Sequence, residues 1–206
     1  MLTETWTAGP PWAVPQEWPG ERCFILCSGP SLQSQLKQIP KLKGRFIAVK
    51  HGVLARPDAD VLFLSGERDP SMSLGLIPHF KGKHMIVRSR PNPLYPPEMH
   101  WVTRTKNHDE LCPLPDHVAG LDCGTSAINI AYHFGATEIV MLGYDLTGGH
   151  FCKHPLQNPP QQHHDRHLAA LPKFAEDAKR KGIRIVNCSP ISAITVFERQ
   201  PLEAFL

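Results

Sequence analysis

The chain has 206 residues, which is enough for one ordinary domain with a hydrophobic core and not comfortably enough for two. Hydrophobic residues make up 41% and charged residues 20%, which excludes a disordered acidic chain and a coiled coil. The formal net charge of +3 is too small to indicate a nucleic-acid or anionic-lipid partner. The 21 prolines and 12 histidines are both unusual counts, and the histidines concentrate between residues 133 and 167.

The first residues, the length of the apolar runs and the cysteines indicate the cellular compartment. The first residues show no basic segment followed by an apolar run, and no apolar run is long enough for a transmembrane helix. Cys23 and Cys27 lie in or beside one strand-like run and Cys188 ends another, which is typical of buried free thiols. We therefore expect a cytoplasmic protein with reduced cysteines.

We divide the chain into an arm, residues 1–20, and a single domain, residues 21–206. The arm contains Trp6, Trp12 and Trp18 together with several prolines, and it has no period. We interpret it as an extended segment laid over the surface, with its tryptophans as anchors. A floppy tail or a partner-contact segment is the alternative.

Short apolar runs alternate with helical segments through the domain. In chain order we predict a strand over 22–28, a helix over 32–39, strands over 45–49 and 60–65, a helix over 72–80, strands over 84–88 and 100–103, a helix over 125–134, a strand over 138–144, a helix over 167–181 and a strand over 183–187. This order predicts an α/β fold with a mostly parallel sheet covered on both faces. Ligands of such sheets bind beyond the carboxyl ends of the strands.

The first predicted strand ends in Ser28, Gly29, Pro30 and Ser31. Glycine allows close backbone approach, and Ser31 is a candidate N-cap for the helix that follows. The N–H groups of that helix start would suit a phosphate, although the motif is neither GxGxxG nor a Walker A loop. The turn is therefore either a phosphate loop or an ordinary joint between strand and helix.

Polar residues also follow the second and third predicted strands. Lys50 and His51 follow the second, and Ser65, Glu67 and Asp69 end or follow the third. Their position suits a site at the sheet edge, while the acidic pair also fits a solvated turn with a local ion pair.

A helix start and a strand end provide two further candidates. Gly124, Thr125 and Ser126 offer N–H groups and hydroxyls at a helix start, which suits an anion, an N-cap, or both. The clearest strand runs into Tyr144 and Asp145. An aspartate at such a strand end commonly meets a ribose hydroxyl, a metal or an amine, and an Asx turn is the structural alternative.

The histidine-rich segment allows two chemistries. His163 and His167 are four residues apart and would share a helix face, a spacing that can chelate a metal. The candidate ligands of such a metal are His150, Cys152, His154, His163 and His167. The other interpretations are one histidine that acts as a general base, and plain loop polarity.

The longer motifs resemble those of the bacterial sialyltransferases that use CMP-sialic acid, glycosyltransferase family 42. Residues 24–32 (FILCSGPSL) resemble their opening strand and loop, and residues 123–127 and 134–145 resemble their later helix start and strand. The tail from His164 to a helix and then residues 183–192 resembles their ending, where a catalytic histidine precedes a helix and a strand. The same opening occurs in a related family of 6-hydroxymethylpterin pyrophosphokinase-like domains, which includes phage proteins.

This resemblance implies a Rossmann-like three-layer sandwich that binds a nucleotide or nucleotide sugar and a small-molecule or glycan acceptor, and no nucleic acid. His164, or its neighbour His163 or His167, would be the general base. The helix N-termini at Ser31 and Thr125 would stabilise the leaving phosphate with no required metal. The predicted binding residues are Ser28, Gly29, Pro30, Ser31, Lys50, His51, Ser65, Glu67, Asp69, Gly124, Thr125, Ser126, Tyr144 and Asp145.

Two alternatives to a glycosyltransferase follow from the related family. A pterin-type pyrophosphokinase would need Mg²⁺, and therefore carboxylates such as Asp69 and Asp145 near the phosphates. A non-catalytic module of the phage type would instead use the histidine and cysteine cluster to hold a structural zinc ion.

Overall fold

The computed structural model describes residues 9–65, 71–89, 93–152 and 161–206, with the backbone alone described for 71, 72 and 161–163. Within these ranges the strands are β1 Arg22–Leu26, β2 Arg45–Val49, β3 Val61–Ser65, β4 His84–Arg88, β5 His100–Arg104, β6 His117–Val118, β7 Glu138–Leu142, β8 Arg184–Asn187 and β9 Glu198–Arg199. The α-helices are α1 Leu32–Gln35, α2 Ser71–Leu74, α3 Cys123–Phe134 and α4 Gln161–Arg180. The strands form one sheet in which every described pairing is parallel, which confirms the predicted α/β class.

The strand order, β6-β5-β4-β3-β2-β1-β7-β8-β9, places β1 at the point where the direction of winding reverses. The chain adds β2 to β6 successively on one side of β1, then returns through α3 to add β7, β8 and β9 on the other side. Ile25 of β1 is in register with Ile47 of β2 and with Met141 of β7. The carboxyl ends of β1 and β7 therefore form the switch point at which such sheets bind ligands.

Apolar side chains cover both faces of the sheet, because neighbouring positions of a strand point to opposite faces. Ile25 lies in the core between the sheet and the helices α3 and α4, where Ile128 and Phe174 are fully buried. Phe24 lies in the core of the other face, with Leu32 of α1 among its members. The result is the predicted sandwich of helix, sheet and helix layers.

The described part of the arm packs against α3 and the sheet. Trp18 is 1% exposed, its ring stacks on Phe134 at 3.9 Å, and its amide donates to the Phe134 carbonyl oxygen at 2.7 Å. Trp12 stacks on His100 of β5 at 4.1 Å. Trp6 lies outside the described residues.

Prolines shorten two of the predicted helices. The helix expected over 32–39 ends after one turn, and a 3-10 turn, Ile39–Lys41, follows it. The helix expected over 72–80 similarly divides into α2 and the 3-10 turn Ile77–His79. Pro40 and Pro78 lie in these turns, where the missing amide hydrogen and the ring prevent a continuous helix.

The two long helices begin earlier than the pattern indicates. α3 starts at Cys123 because Asp122 is its N-cap, and Gly135 ends it in the left-handed region with φ 95, as its sequence predicts. α4 starts at Gln161, six residues before the predicted start at residue 167. The short strands β6 and β9 were not predicted, since two residues carry no hydrophobic period.

Candidate functional site

A cavity of about 270 Å³ opens at the switch point. It is formed by residues that follow β1, β2 and β7, by the start of α3 and by the first turns of α4. The described lining residues are Cys27, Ser28, Gly29, Pro30, Val49, Lys50, Asp122, Cys123, Gly124, Gly143, Tyr144, Asp145, Leu146, Thr147, Gly148, Gly149, His150, His164 and His167. The structure thus brings together residues predicted separately from five strand or helix ends.

Asp145 joins the loop after β7 to the loop after β1. Its Oδ2 accepts a hydrogen bond from the Ser31 amide at 2.8 Å, and its Oδ1 accepts one from the Ser31 hydroxyl at 2.6 Å. Burial raises the pKa of the Asp145 carboxyl above its ordinary value, and the two bonds from Ser31 oppose this rise. Asp145 therefore links the two loops of the cavity wall that follow β1 and β7.

This contact corrects the predicted role of Ser31. The expectation that its hydroxyl caps α1 is wrong, since no side-chain capping bond is present and the hydroxyl donates to Asp145. The amide of Ser31 is also occupied by that carboxylate. Because α1 has only four residues, it supplies no phosphate seat of its own. Ser28, Gly29 and Pro30 remain on the cavity wall.

The loops after β1 and β7 lie so close together that position 29 requires a glycine. A Cβ built on Gly29 would overlap Oδ2 of Asp145 and the carbonyl oxygen of Gly143. The Gly29 amide donates to that same Gly143 carbonyl at 2.8 Å. Gly143 itself has φ 62, in the region that favours glycine. The two glycines let the loops of adjacent strands meet at the floor of the cavity.

The start of α3 is held by a buried polar cluster around Asp122. The carboxylate of Asp122 accepts from the Thr125 amide at 3.0 Å, from the Thr125 hydroxyl at 2.5 Å and from the Tyr144 phenol at 2.9 Å. Burial raises the pKa of Tyr144 well above its usual value, so the phenol stays protonated and donates. A Cβ on Gly124 would come within 2.6 Å of the Tyr144 ring, so only glycine fits at this position.

The same cluster corrects the predicted roles of Thr125 and Ser126. The Thr125 hydroxyl and amide are engaged by Asp122, and the hydroxyl of Ser126 accepts from Arg88 Nη1 at 2.8 Å. Neither residue lines the cavity, and both are buried. The structure therefore places the Thr125 and Ser126 hydroxyls in contacts within the protein and away from the cavity lining. The cavity meets α3 at its first two residues, Cys123 and Gly124.

Two of the three candidate histidines line the cavity from α4. His164 and His167 are 7% and 9% exposed and lie one helical turn apart. A Cβ on Gly148 would lie 4.0 Å from Nε2 of His164, so the glycine loop passes close to this ring. The side chain of His163 lies outside the described residues.

The second strand contributes one charged group to the wall. Lys50 lines the cavity and has φ 49, a left-handed conformation that is unusual for lysine. His51 does not line it, although its ring lies 6.3 Å from that of His150, which does. Ser65 is buried at the end of β3 and does not line the cavity either.

Glu67, Asp69 and His154 lie outside the described residues, so the carboxylate pair of the magnesium alternative and the full zinc cluster have no described geometry. In the described part of the chain, no group of three or more histidine, cysteine, aspartate or glutamate side chains is arranged to hold a metal ion. Of the two carboxylates expected to hold magnesium, Asp145 is the one that lies within the described residues, and it accepts two hydrogen bonds from Ser31.

Several lining residues have no predicted role in the site. Cys27, Asp122, Cys123 and the loop from Leu146 to Gly149 all border the cavity. Asp122 carries a usable signal, since an aspartate three residues before a threonine at a helix start is a typical N-cap. The loop carries none, because its closeness to His164 depends on how α4 returns to the sheet.

Among the described helices, none combines the length and the apolar character that crossing a membrane requires.

Comparison with solved structures finds the same fold in a bacterial enzyme. No protein-family model matches the sequence, and a search of curated proteins finds no relative. The sialyltransferase CST-II in complex with a trisaccharide acceptor and CMP is 14% identical, with a TM-score of 0.52 over 86% of this chain and 85% of that one. CstII from Campylobacter jejuni with cytidine-5'-monophosphate is 13% identical, with a TM-score of 0.51 over 88% and 85%. At these identities the likeness shows that the chain shares the fold of these sialyltransferases.

Proposed function

We propose that the chain binds a nucleotide or nucleotide sugar in this cavity and transfers the sugar to an acceptor hydroxyl. One observation carries the proposal. The cavity lies at the β1 and β7 switch point with His164 and His167 on its wall, in a fold shared with sialyltransferases whose structures contain CMP. Its volume of about 270 Å³ is near the lower end of the range for small-molecule sites.

Lys50 and the start of α3 offer positive groups to an anionic ligand in the cavity. Asp122 and Asp145 both line it, but their carboxylates accept hydrogen bonds from Thr125, Tyr144 and Ser31. Lys50 adds a positive charge at the end of β2. The amides of Cys123 and Gly124 head α3, where backbone N–H groups have no acceptor within the helix. These groups would stabilise the phosphate that leaves, in place of the Ser31 and Thr125 amides.

His164 is the proposed general base. The acceptor oxygen forms a bond to the anomeric carbon while the bond from that carbon to the phosphate oxygen breaks, and the hydroxyl proton passes to the imidazole. Imidazole suits this role because it gains and loses a proton near neutral pH. The nucleoside phosphate departs with the electron pair of the broken bond. These reaction steps need no metal ion.

Ligand-dependent thermal stability tests the nucleotide class. The purified chain is heated with CMP, UDP, ATP or GTP, each with and without Mg²⁺. We expect CMP to raise the melting temperature. At a CMP concentration 100 times the dissociation constant, binding should stabilise the folded chain by roughly 2.7 kcal/mol. No shift with any nucleotide would overturn the proposal. A shift with ATP that requires Mg²⁺, and none with CMP, favours the pyrophosphokinase alternative.

Histidine variants test the base. His164→Asn and His167→Asn are compared with Lys179→Gln, which removes an exposed charge at the far end of the same helix. With CMP-sialic acid and a galactoside acceptor, we expect one histidine variant to lower transfer by roughly 10²-fold or more while CMP still binds. If both variants transfer as fast as Lys179→Gln, the base lies elsewhere.

A further inference from the structure

Arg88 and Arg104 project from the carboxyl edge of the sheet on the same side. Arg88 ends β4 two positions after Ile86, and Arg104 ends β5 two positions after Val102. Both Ile86 and Val102 belong to the core that the sheet shares with α3 and α4. Because side chains alternate along a strand, both arginines point to the α3 and α4 side. The parallel register that pairs Arg88 with Val102 places the two strand ends next to each other.

Hydrogen bonds fix Arg88 beside the start of α3. Its Nη1 donates to the carbonyl oxygens of Gly120 and Asp122, both at 3.3 Å, and to the Ser126 hydroxyl at 2.8 Å. The residue is 9% exposed, so a guanidinium charge is held in place next to the residues that head α3. Cys123, the first residue of that helix, lines the cavity.

Arg166 and His108 complete the cluster. Arg166 directly precedes His167, which lines the cavity. Burial lowers the pKa of His108, and the charges of Arg104, Arg88 and Arg166 lower it further. Burial also lowers the pKa of Arg104, and the charges of Arg88 and Arg166 lower it further. The charges of Arg88 and Arg166 therefore act on Arg104, and the charges of all three act on His108. The Nδ1 of His108 is buried and has no hydrogen-bond partner among the described residues.

The nearby carboxylates are used elsewhere. Asp122 accepts from Thr125 and Tyr144, and Asp109 pairs with Lys173 at 3.1 Å. Within the described ranges, none of the three arginines forms an ion pair. The charges of Arg88 and Arg166 oppose the charge of Arg104, and within the described ranges no carboxylate forms an ion pair with any of the three. An anion would offset these like charges.

We propose that Arg88, Arg104 and Arg166 form a subsite for an anionic group of the acceptor, such as a carboxylate, sulfate or phosphate. The planar guanidinium fork pairs with two oxygens of such a group. None of the three arginines lines the cavity that would hold the nucleotide, yet they adjoin its wall through Cys123 and His167. That position assigns them to the second substrate. This inference rests on the proposed nucleotide site.

The test compares two acceptor analogues that differ only at C6, where one carries a neutral hydroxymethyl group and the other a carboxylate. Methyl galactoside and methyl galacturonoside are titrated by NMR into the full chain loaded with CMP. We expect the charged sugar to bind at least about tenfold more tightly. The double variant Arg104→Gln/Arg166→Gln changes only exposed arginines and should abolish this preference. Lys179→Gln should keep it.

Three results would overturn the assignment. The two sugars bind alike, or the double variant keeps the preference, or the double variant loses affinity for CMP itself and thereby assigns the arginines to the nucleotide. A wild-type chain that does not bind CMP contradicts the proposed function instead. Titration with inorganic sulfate then decides on the subsite: binding that the double variant loses supports an anion site, and binding that it retains overturns it.

Discussion

Ser31 donates two hydrogen bonds to the carboxylate of Asp145, one from its backbone amide at 2.8 Å and one from its hydroxyl at 2.6 Å. The two residues are 114 positions apart and follow the adjacent strands β1 and β7. Their contact closes the floor of the candidate site with a buried carboxylate. Since Asp145 is 2% exposed, water does not replace a donor that is removed.

The hydroxyl of Ser31 should stabilise the fold mainly through the charge of Asp145. Ser31→Ala removes one donor from a buried carboxylate, which we expect to cost about 1.5–3 kcal/mol. In an Asp145→Asn background the same change should cost less, because a hydrogen bond to a neutral acceptor contributes about 0.5–1.5 kcal/mol. Urea unfolding of the four proteins measures the difference. Equal costs in the two backgrounds would contradict the contact.

Adding a methyl group at Gly29 should disturb the site. Gly29→Ala places a Cβ against Oδ2 of Asp145 and the carbonyl oxygen of Gly143, neither of which can move without breaking other bonds. We expect the free energy of unfolding to fall by about 1–3 kcal/mol. Gly9→Ala is the matched control, since nothing lies within 4 Å of its added Cβ. Unchanged stability in Gly29→Ala, measured by urea unfolding, would be incompatible with this packing.

The arm should contribute to the stability of the domain through Trp18. Trp18 is fully buried against Phe134, and removal of a buried tryptophan side chain costs about 3–5 kcal/mol. Trp12 is only partly buried, so Trp12→Ala should cost less. Thermal and urea unfolding of both variants checks this order. A Trp18→Ala protein as stable as the wild type would show that the arm does not pack as described.

Stability should fall in mild acid because of His133. Burial lowers the pKa of His133 below its ordinary value of 6.5, and the hydrogen bond to the His117 carbonyl opposes this shift. The unfolded chain therefore binds a proton first as the pH falls. The free energy of unfolding should decrease below pH 6.5 until the folded pKa is passed, with a slope of at most about 1.4 kcal/mol per pH unit.

Two variants isolate this contribution. His133→Gln should flatten the pH dependence of unfolding between neutrality and the folded pKa. His79→Gln, which changes an exposed histidine, should leave it unchanged. Urea titrations at several pH values measure both slopes. A slope in His133→Gln equal to that of the wild type would assign the acid sensitivity to another group.

The fold class and the edge of the sheet that carries the candidate site could be predicted from local sequence patterns. Strands such as β1 and β7 are buried on both faces of a parallel sheet and are therefore continuous apolar runs that can be recognised without neighbours. The helix predicted over 125–134 likewise ends at residue 134, and Gly135 is its C-cap. Since parallel strands share one carboxyl edge, the turn at Gly29 could be placed at that edge from the sequence, whereas His164 was indicated by the resemblance to the sialyltransferases.

The tertiary structure decided what each polar group at that edge does. Ser31 and Thr125 look like free donors in sequence, but Asp145 and Asp122 approach from other segments and occupy them. The arginine cluster likewise depends on strand register, which brings β4 and β5 side by side, and on the return of α4 to the sheet. Local sequence specifies which groups are available. Only the packing of distant segments specifies which of them are already paired and which face a ligand.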